Sequence, residues 1–293
     1  MKDVASALRL HIVAIAVAAT LVFGYLFRGV YPVGLALLCG FDWSIVNLLN
    51  RATDVDEDRL NGITATELVA RNARTIVRAC LLALAVSFVI VALVLPWRLT
   101  LDRVIFHALG LGYSFRYVPT ARGLRRFKDL YVLKNSMSAV MFMLSVVGYP
   151  LLGRGEPLTM SVPGMVSVGL FFFLFEHSFE IIYDLRDADG DRAVGVPTYP
   201  VVHGLRVSAR LVYALAAASI AVLIGARAAS LVTTRELLMV VAPAAQIAFL
   251  HHRTPERVSR ADCIGITYAG AAALVIYLLG TALWARAGLP MDI

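Results

Sequence analysis

Charge vanishes from this chain in long blocks. Residues 12–27, 80–96 and 211–226 contain no Asp, Glu, Lys or Arg. A hydrocarbon layer ~30 Å thick needs about 20 mainly apolar helical residues, because only a helix or a closed barrel satisfies its own backbone in lipid. Composition agrees: 59% of the 293 residues are apolar and 16% charged, where a soluble domain has about 45–50% and about 25%. The expected fold class is all-α, an integral membrane protein. Nine spans are predicted, at residues 7–27, 30–50, 75–95, 101–118, 131–152, 160–184, 206–226, 232–250 and 264–286. Together they make one membrane domain over 1–293. His107, Arg116, Gly110 and Gly112 dilute the fourth span. Lys2 and Arg9 precede the first block as in a secretory signal, but that block shows no small-x-small cleavage pattern and further spans follow, so a membrane span is expected. Cys39, Cys80 and Cys263 are scattered, with no disulfide or metal spacing, and are expected to pack as small residues.

Basic residues orient the chain. Grouping the N-terminus with the loops after spans 2, 4, 6 and 8 gives one side 18 Lys and Arg and the other 7. The loop after span 4 alone holds Arg116, Arg122, Arg125, Arg126 and Lys128. Cytoplasmic loops are enriched in Lys and Arg, so the richer side is expected to face the cytoplasm of a cell membrane. The net charge of +7 is mostly this bias. No soluble basic face is present for nucleic acid.

Acid is distributed still less evenly. Two stretches on that same side, 47–58 and 180–191, each continue from an apolar span. Asn50, Asp54 and Asp58 recur at i, i+4 and i+8, so a continuing helix would lay them on one face. Glu180, Asp184, Asp187 and Asp191 form a second stripe at i, i+4, i+7 and i+11. Like charges so placed repel, and nearby lipid adds a desolvation cost, so a cation is expected to offset them. Magnesium suits such a site, being a hard ion that joins carboxylates to substrate phosphates. Two or three ions, with manganese as a substitute, could sit between facing stripes. Arg51, Arg59, Arg186 and Arg192 could add bidentate phosphate contacts. Asp56, Glu57 and Asp189 lie off the stripes and are expected in solvent.

These residues resemble the signatures of the UbiA superfamily of intramembrane prenyltransferases. Asn50, Asp54 and Asp58 match its Asn-x3-Asp-x3-Asp pattern in register. Glu180, Asp184, Asp187, Gly190, Asp191, Arg192, Gly195, Thr198 and Pro200 match the longer form of its second motif, and residues 125–135 resemble its basic connection. Two departures stand out. The segment after Asp58 lacks proline, and Phe179 occupies the position where the archaeal lipid-forming branch often carries Arg, so the chain is not assigned to that branch.

The resemblance implies a helical bundle around a central lipid-open cavity. It implies an isoprenyl diphosphate held on magnesium, with Asn50, Asp54, Asp58, Asp184, Asp187 and Asp191 as metal ligands and Glu180 in support. Asp54, Asp187, Asp191 and Lys134 would be the catalytic residues. Asn50, Arg51, Arg186, Arg192 and Tyr183 would bind substrate. The implied reaction moves the prenyl group to a hydrophobic, aromatic acceptor in the membrane; the alternative is a membrane terpene cyclase, in which the same cation is captured within its own chain. A transporter would place its ionisable residues near the midplane rather than at helix ends. Lys134 enters an apolar span, a costly position unless it snorkels or meets an anion. Phe171, Phe172, Phe173, Phe175, Tyr113, Phe115 and Tyr117 are candidates to line the cavity, although aromatics in membrane helices mostly pack. His107 and His177 are expected to pack, and His251 and His252 to form an interfacial pair.

The basic asymmetry generates a topology test. Single cysteines at Asp56 and Asp189, in a cysteine-free background, should both be protected from an impermeant thiol reagent in intact cells. Labelling of either from outside would contradict the orientation.

Overall fold

The computed structural model describes residues 2–121 and 123–288; Arg122 lies outside them. Its helices are α1 (Lys2–Ala7), α2 (Leu10–Arg28), α3 (Val33–Thr53), α4 (Val55–Leu60), α5 (Thr66–Val94), α6 (Trp97–Ser114), α7 (Tyr131–Phe142), α8 (Tyr149–Leu152), α9 (Val162–Val194), α10 (Tyr199–His203), α11 (Leu205–Ala228), α12 (Thr234–Leu237), α13 (Val241–His252) and α14 (Arg260–Arg286). The described residues outside helices include a small antiparallel hairpin, β1 (Val118–Thr120) with β2 (Gly123–Arg125), that pairs Val118 with Arg125.

Among the described residues seven helices are long and apolar enough to cross a membrane: α2, α3, α5, the run Tyr131–Leu152, α9, α11 and α14. The protein is therefore an all-helical, multi-pass membrane protein. The fourth and eighth expected spans are helical but do not meet that measure. Arg98, Asp102 and Arg103 interrupt the apolar character of α6, and the region 232–250 breaks into α12, a 3-10 turn (Leu238–Val240) and α13. Two boundaries move as well. Helix α5 starts at Thr66, nine residues before the expected 75, and α9 runs on to Val194, ten beyond 184. Gly195 then stops α9 in a left-handed backbone conformation (φ 76°), letting the Val196 N–H reach back to Asp191 O at 2.9 Å. This turn favours glycine because a Cβ there is strained.

Among the described residues three apolar clusters fill the bundle. The largest joins Phe23, Phe27, Phe106, Phe171 and Phe172; the others centre on Ile181, Ile182 and Val212, and on Ile45, Leu49 and Cys80. All three cysteines are buried and free, as packing residues should be. Phe171 and Phe172 belong to this core and not to a cavity wall.

One buried polar knot crosses the apolar interior. Asp42 on α3 accepts from Arg103 Nε at 2.8 Å, Arg103 Nη2 at 2.7 Å and the Tyr149 hydroxyl at 2.6 Å. His107 Nε2 lies 2.9 Å from the same carboxylate, and Arg103 also donates to Ser87 Oγ at 2.6 Å. The knot ties α3, α5, α6 and α8 together. Between α7 and α8 the helix takes one π-helical turn, Met143–Gly148, where Ser145 Oγ accepts from Trp43 Nε1 at 2.9 Å.

Asp42 and Arg103 have no exposure at all, and removing one partner of such a pair strands the other charge at a cost of about 3–5 kcal/mol. Asp42→Leu and Arg103→Met should therefore each lower the unfolding temperature in detergent markedly. The double variant should recover part of the loss, because no orphaned charge remains; additive losses would contradict this reading of the knot.

Candidate active site

The two acidic stretches meet across one cavity of about 680 Å³. Motif one reaches it differently from the expected continuous helix. Helix α3 ends at Thr53, Asp54 takes a non-helical conformation (φ −108°, ψ 26°), and α4 begins at Val55. The backbone bonds Asp54 N–Asn50 O (3.0 Å) and Asp58 N–Asp54 O (2.8 Å) nevertheless persist through the bend. Asn50, Asp54 and Asp58 therefore still line one wall. Motif two does lie on a single helix, and Glu180, Asp184, Asp187 and Asp191 line the facing wall. Gly190 lets the walls approach: a Cβ there would stand 1.7 Å from the Asn61 side-chain oxygen at the end of α4.

Cations of the chain itself hold the carboxylates. Asp54 Oδ1 lies 2.8 Å from Lys128 Nζ and 3.0 Å from Arg126 Nη1, and its other oxygen accepts from Asn50 Nδ2. Lys128 also reaches Glu57 at 2.5 Å. Asp58 pairs with Arg51 Nε at 2.7 Å and with Arg9 at 3.8 Å. Lys134 Nζ stands 2.8 Å from Asp184 and 4.0 Å from Glu180. Arg186 forms a bidentate pair with Asp187 and stacks over the Tyr183 ring at 4.8 Å. Arg260 donates to Gly62 O at 3.0 Å and to Thr64 Oγ1. Even so, the cavity wall carries eight carboxyl groups against five Lys and Arg side chains among the described residues. Glu180 Oε2, Asp184 Oδ2 and Asp191 Oδ2 are buried without a hydrogen-bond partner.

Several expectations change here. Glu57 is not a solvated side chain: it lines the cavity and pairs with Lys128, because the bend at Asp54 turns α4 inward. Asp56 and Asp189 do face solvent. Arg192 pairs with exposed Asp189 at 2.9 Å, and Arg59 pairs with Asp56 and Glu67; neither lines the cavity. Tyr183 lines it, but its hydroxyl is engaged by Thr267 and by Cys263 O at 3.1 Å. Of the remaining aromatic candidates only Tyr113 is part of the wall; Trp43, Phe142, Phe179 and Tyr268, none of them expected there, share it. Arg9 and Arg260 were also missed, since each reaches the site from the start of a distant helix and no local spacing marks it. Asn135, beside Lys134, has a packing role: it donates to Pro197 O at 3.0 Å and accepts from Tyr199 N at 2.9 Å.

The cavity has two chemical ends. Asp54, Asp58, Asp184, Asp187 and Asp191 stand at one; Trp43, Met141 and Phe142, about two helical turns from Asn50 and Lys134 along α3 and α7, line the other, and Ile12, Ile15 and Met137 complete the wall. Such a chamber places an acid-rich wall and an apolar wall inside one membrane-spanning helical bundle. The chain belongs to the UbiA prenyltransferase family, whose model matches residues 7–264. It is 40% identical over 47 residues to the digeranylgeranylglyceryl phosphate synthase of Methanothermobacter thermautotrophicus, a match covering 16% of this chain and only 17% of that relative's length. In fold it is similar to a UbiA homologue from Archaeoglobus fulgidus bound to GPP and Mg2+, with a TM-score of 0.72, 17% identity, and 95% of this chain and 98% of that one covered. It is also similar to the apo UbiA homologue from Aeropyrum pernix K1, with a TM-score of 0.64, 17% identity, and coverages of 94% and 98%.

Burial dominates the Asp54 carboxyl and pushes it up to about 6; Glu57 adds to the rise, while Lys128 and Arg126 oppose it. Asp58 is raised too, by burial against the pull of Arg9 and Arg51. A carboxyl raised in the folded state stabilises the fold when protonated, and that contribution fades as pH climbs through 6. Metal-free protein should therefore gain stability as pH falls from 7, by about 1 kcal/mol from Asp54 at pH 5, with the rest of its contribution arriving by about pH 4. Asp54→Asn should flatten this dependence in a thermal melt. An equally steep profile in the variant would assign the effect elsewhere.

Proposed function

We propose that this protein transfers an isoprenyl group from an isoprenyl diphosphate to a hydrophobic, aromatic acceptor within the membrane, as one domain over its whole length. The carrying observation is the pair of carboxylate walls facing each other at the mouth of a cavity whose far end is apolar. The diphosphate ends of GPP and its homologues need cations, and their tails need lipid-like surroundings; one chamber offers both. The A. fulgidus homologue bound to GPP and Mg2+, similar to this chain in fold, supports the same reading.

Magnesium fits the residues present. No three His, Cys, Asp or Glu side chains converge on one point among the described residues, because the carboxylates are drawn to Lys and Arg. The excess of acids and the three unpartnered oxygens of Glu180, Asp184 and Asp191 are hard donors awaiting a hard cation. Asn50, Asp54, Asp58, Asp184, Asp187 and Asp191 would hold the ions. When bound, magnesium supplies Lewis-acid neutralisation of the departing diphosphate.

The chain's own groups do the rest. Arg51, Arg186 and Lys134 stand beside these carboxylates and would be freed toward phosphate oxygens as the carboxylates turn to metal. The apolar walls exclude water from the allylic cation left by C–O cleavage, and the faces of Tyr113, Phe142 and Phe179 can stabilise it. Arg192 is not part of this proposal, since its guanidinium lies on the outer face. The basic-rich ends, which also carry the cavity mouth, would face the cytoplasm of a cell membrane.

The test combines substrate supply with coupling. Purified protein in lipid, given magnesium and diphosphates of ten, fifteen and twenty carbons with a panel of aromatic acceptors, should yield prenylated acceptor, and chelation should abolish it reversibly. Asp54→Asn and Asp187→Asn should each lower turnover on the order of 100-fold. The double variant should lose far less than the product of the two, because the walls hold one shared group. Multiplicative losses, or turnover in excess chelator, would overturn the reading.

A further inference from the structure

Glu176 lies outside both motifs, one turn deeper on α9 than Glu180. Its side chain is 6% exposed and lines the cavity beside Ser138, Met141, Phe142 and Phe179. The acids nearer the mouth mostly have cations: Asp54, Asp58, Asp184 and Asp187 are each ion-paired. Glu176 has no ion pair among the described residues, since Lys134, the nearest buried ammonium on α7, is taken by Asp184 and Glu180. Ser138 shares this stretch of the cavity wall. With a rise of about 1.5 Å per residue, Glu176 stands ~12 Å further along α9 than Asp184. It therefore lies inward of Asp184, Asp187 and Asp191, the residues of α9 proposed above to hold the ions.

A carboxyl placed there costs far more than an amide would, and no cation among the described residues repays that cost. The position asks for chemistry that only a carboxyl performs. The polar end of the cavity takes the diphosphate, so the carbon bearing it points inward, toward Glu176 and the aromatic faces of Phe142 and Phe179.

We propose that Glu176 is the base that receives the proton released by carbocation chemistry in this cavity; this rests on the prenyl-transfer reading above. The C1–O bond breaks and its electron pair leaves on the diphosphate. The π pair of the acceptor ring forms the new bond to C1. The C–H bond at that ring carbon then breaks, its pair restores the ring, and the proton passes to a carboxylate oxygen of Glu176. Without an acceptor, the geranyl cation gives the same oxygen a proton from a carbon next to the cationic centre and becomes a neutral ten-carbon triene.

The acceptor-free step provides the test. Wild type, Glu176→Gln and Glu176→Asp are each given geranyl diphosphate and magnesium in lipid nanodiscs. Released diphosphate is measured, and the ten-carbon products are divided by gas chromatography and mass spectrometry into hydrocarbon and alcohol. Wild type should release hydrocarbon. Glu176→Gln should lower the hydrocarbon-to-alcohol ratio by roughly 100-fold or more, as for loss of a general base, while diphosphate release changes less than about tenfold, because ionisation does not need the base. Glu176→Asp, which keeps the carboxyl one methylene further back, should give an intermediate ratio.

An unchanged ratio in Glu176→Gln, or a loss of diphosphate release in step with hydrocarbon, would overturn the assignment in favour of packing or tail binding. If the glutamine variant does not extract as folded protein, the aspartate variant decides: a wild-type ratio there overturns the proposal. Hydrocarbon absent from wild type despite diphosphate release also overturns it. Absence of magnesium-dependent consumption of geranyl diphosphate, with or without an acceptor, would bring down the prenyl-transfer reading, and this assignment with it.

Discussion

Charge can exist beside lipid only in company, and this constraint organises the molecule. An isolated ion buried in a bundle costs several kcal/mol even after relaxation. Each carboxylate brought to the cavity therefore requires either a partner from another element or a ligand. Lys128 from beyond the hairpin, Arg9 from the start of α2, Lys134 from α7 and Arg186 from α9 itself provide partners. These pairs also fix the helix ends against one another, so the assembly of the site and the closing of the bundle are the same event. The Asp42–Arg103 knot applies the same rule where no ligand is needed, and there the Asp42 carboxylate is fully satisfied by protein donors.

The contrast between the two charged regions separates scaffold from site. Asp42 receives contacts from three residues of the chain, Arg103, His107 and Tyr149. At the mouth, by contrast, acids outnumber the cations of the wall and three carboxylate oxygens stand without a bond. A scaffold that satisfies the Asp42 carboxylate completely leaves this wall with fewer cations than acids. Burial above all raises the Asp54 carboxyl even against its two cations, which shows how costly charge is at this depth.

Much of this was legible in the sequence, for identifiable reasons. Charge-free blocks of sixteen or more residues have one structural solution, so the membrane class followed directly. The spacing of Glu180, Asp184, Asp187 and Asp191 survived because α9 is unbroken to Val194. Motif one kept its residues together for a different reason: the bend at Asp54 preserves the i to i+4 hydrogen bonds while redirecting α4, and this turned Glu57 inward against expectation. Arg9 and Arg260 could not be found, because their place depends on how α2 and α14 pack and no local pattern encodes that. Glu176 could have been. It extends the motif-two stripe one turn toward the N-terminus, at i−4 from Glu180, and was passed over because it lies inside an apolar span. The fourth and eighth spans mislead for the opposite reason. Helical content is there, but Asp102 and Arg103 in one and a 3-10 break in the other deprive it of a continuous apolar length.

The π-helical turn at Met143–Gly148 separates two duties of one helix. Before it, Lys134 must point at Asp184; after it, Tyr149 must point at Asp42. In an uninterrupted α-helix those two directions are locked by the 3.6-residue repeat, and any change serving one end would rotate the other. A π turn absorbs one surplus residue, equivalent to about 100° of rotation, so each end keeps its own bearing. The segment works as a coupling with slack. The inner half, with Ser145 beneath Trp43 at the apolar end of the cavity, can be remodelled by substitution without turning the lysine away from the acids at the mouth.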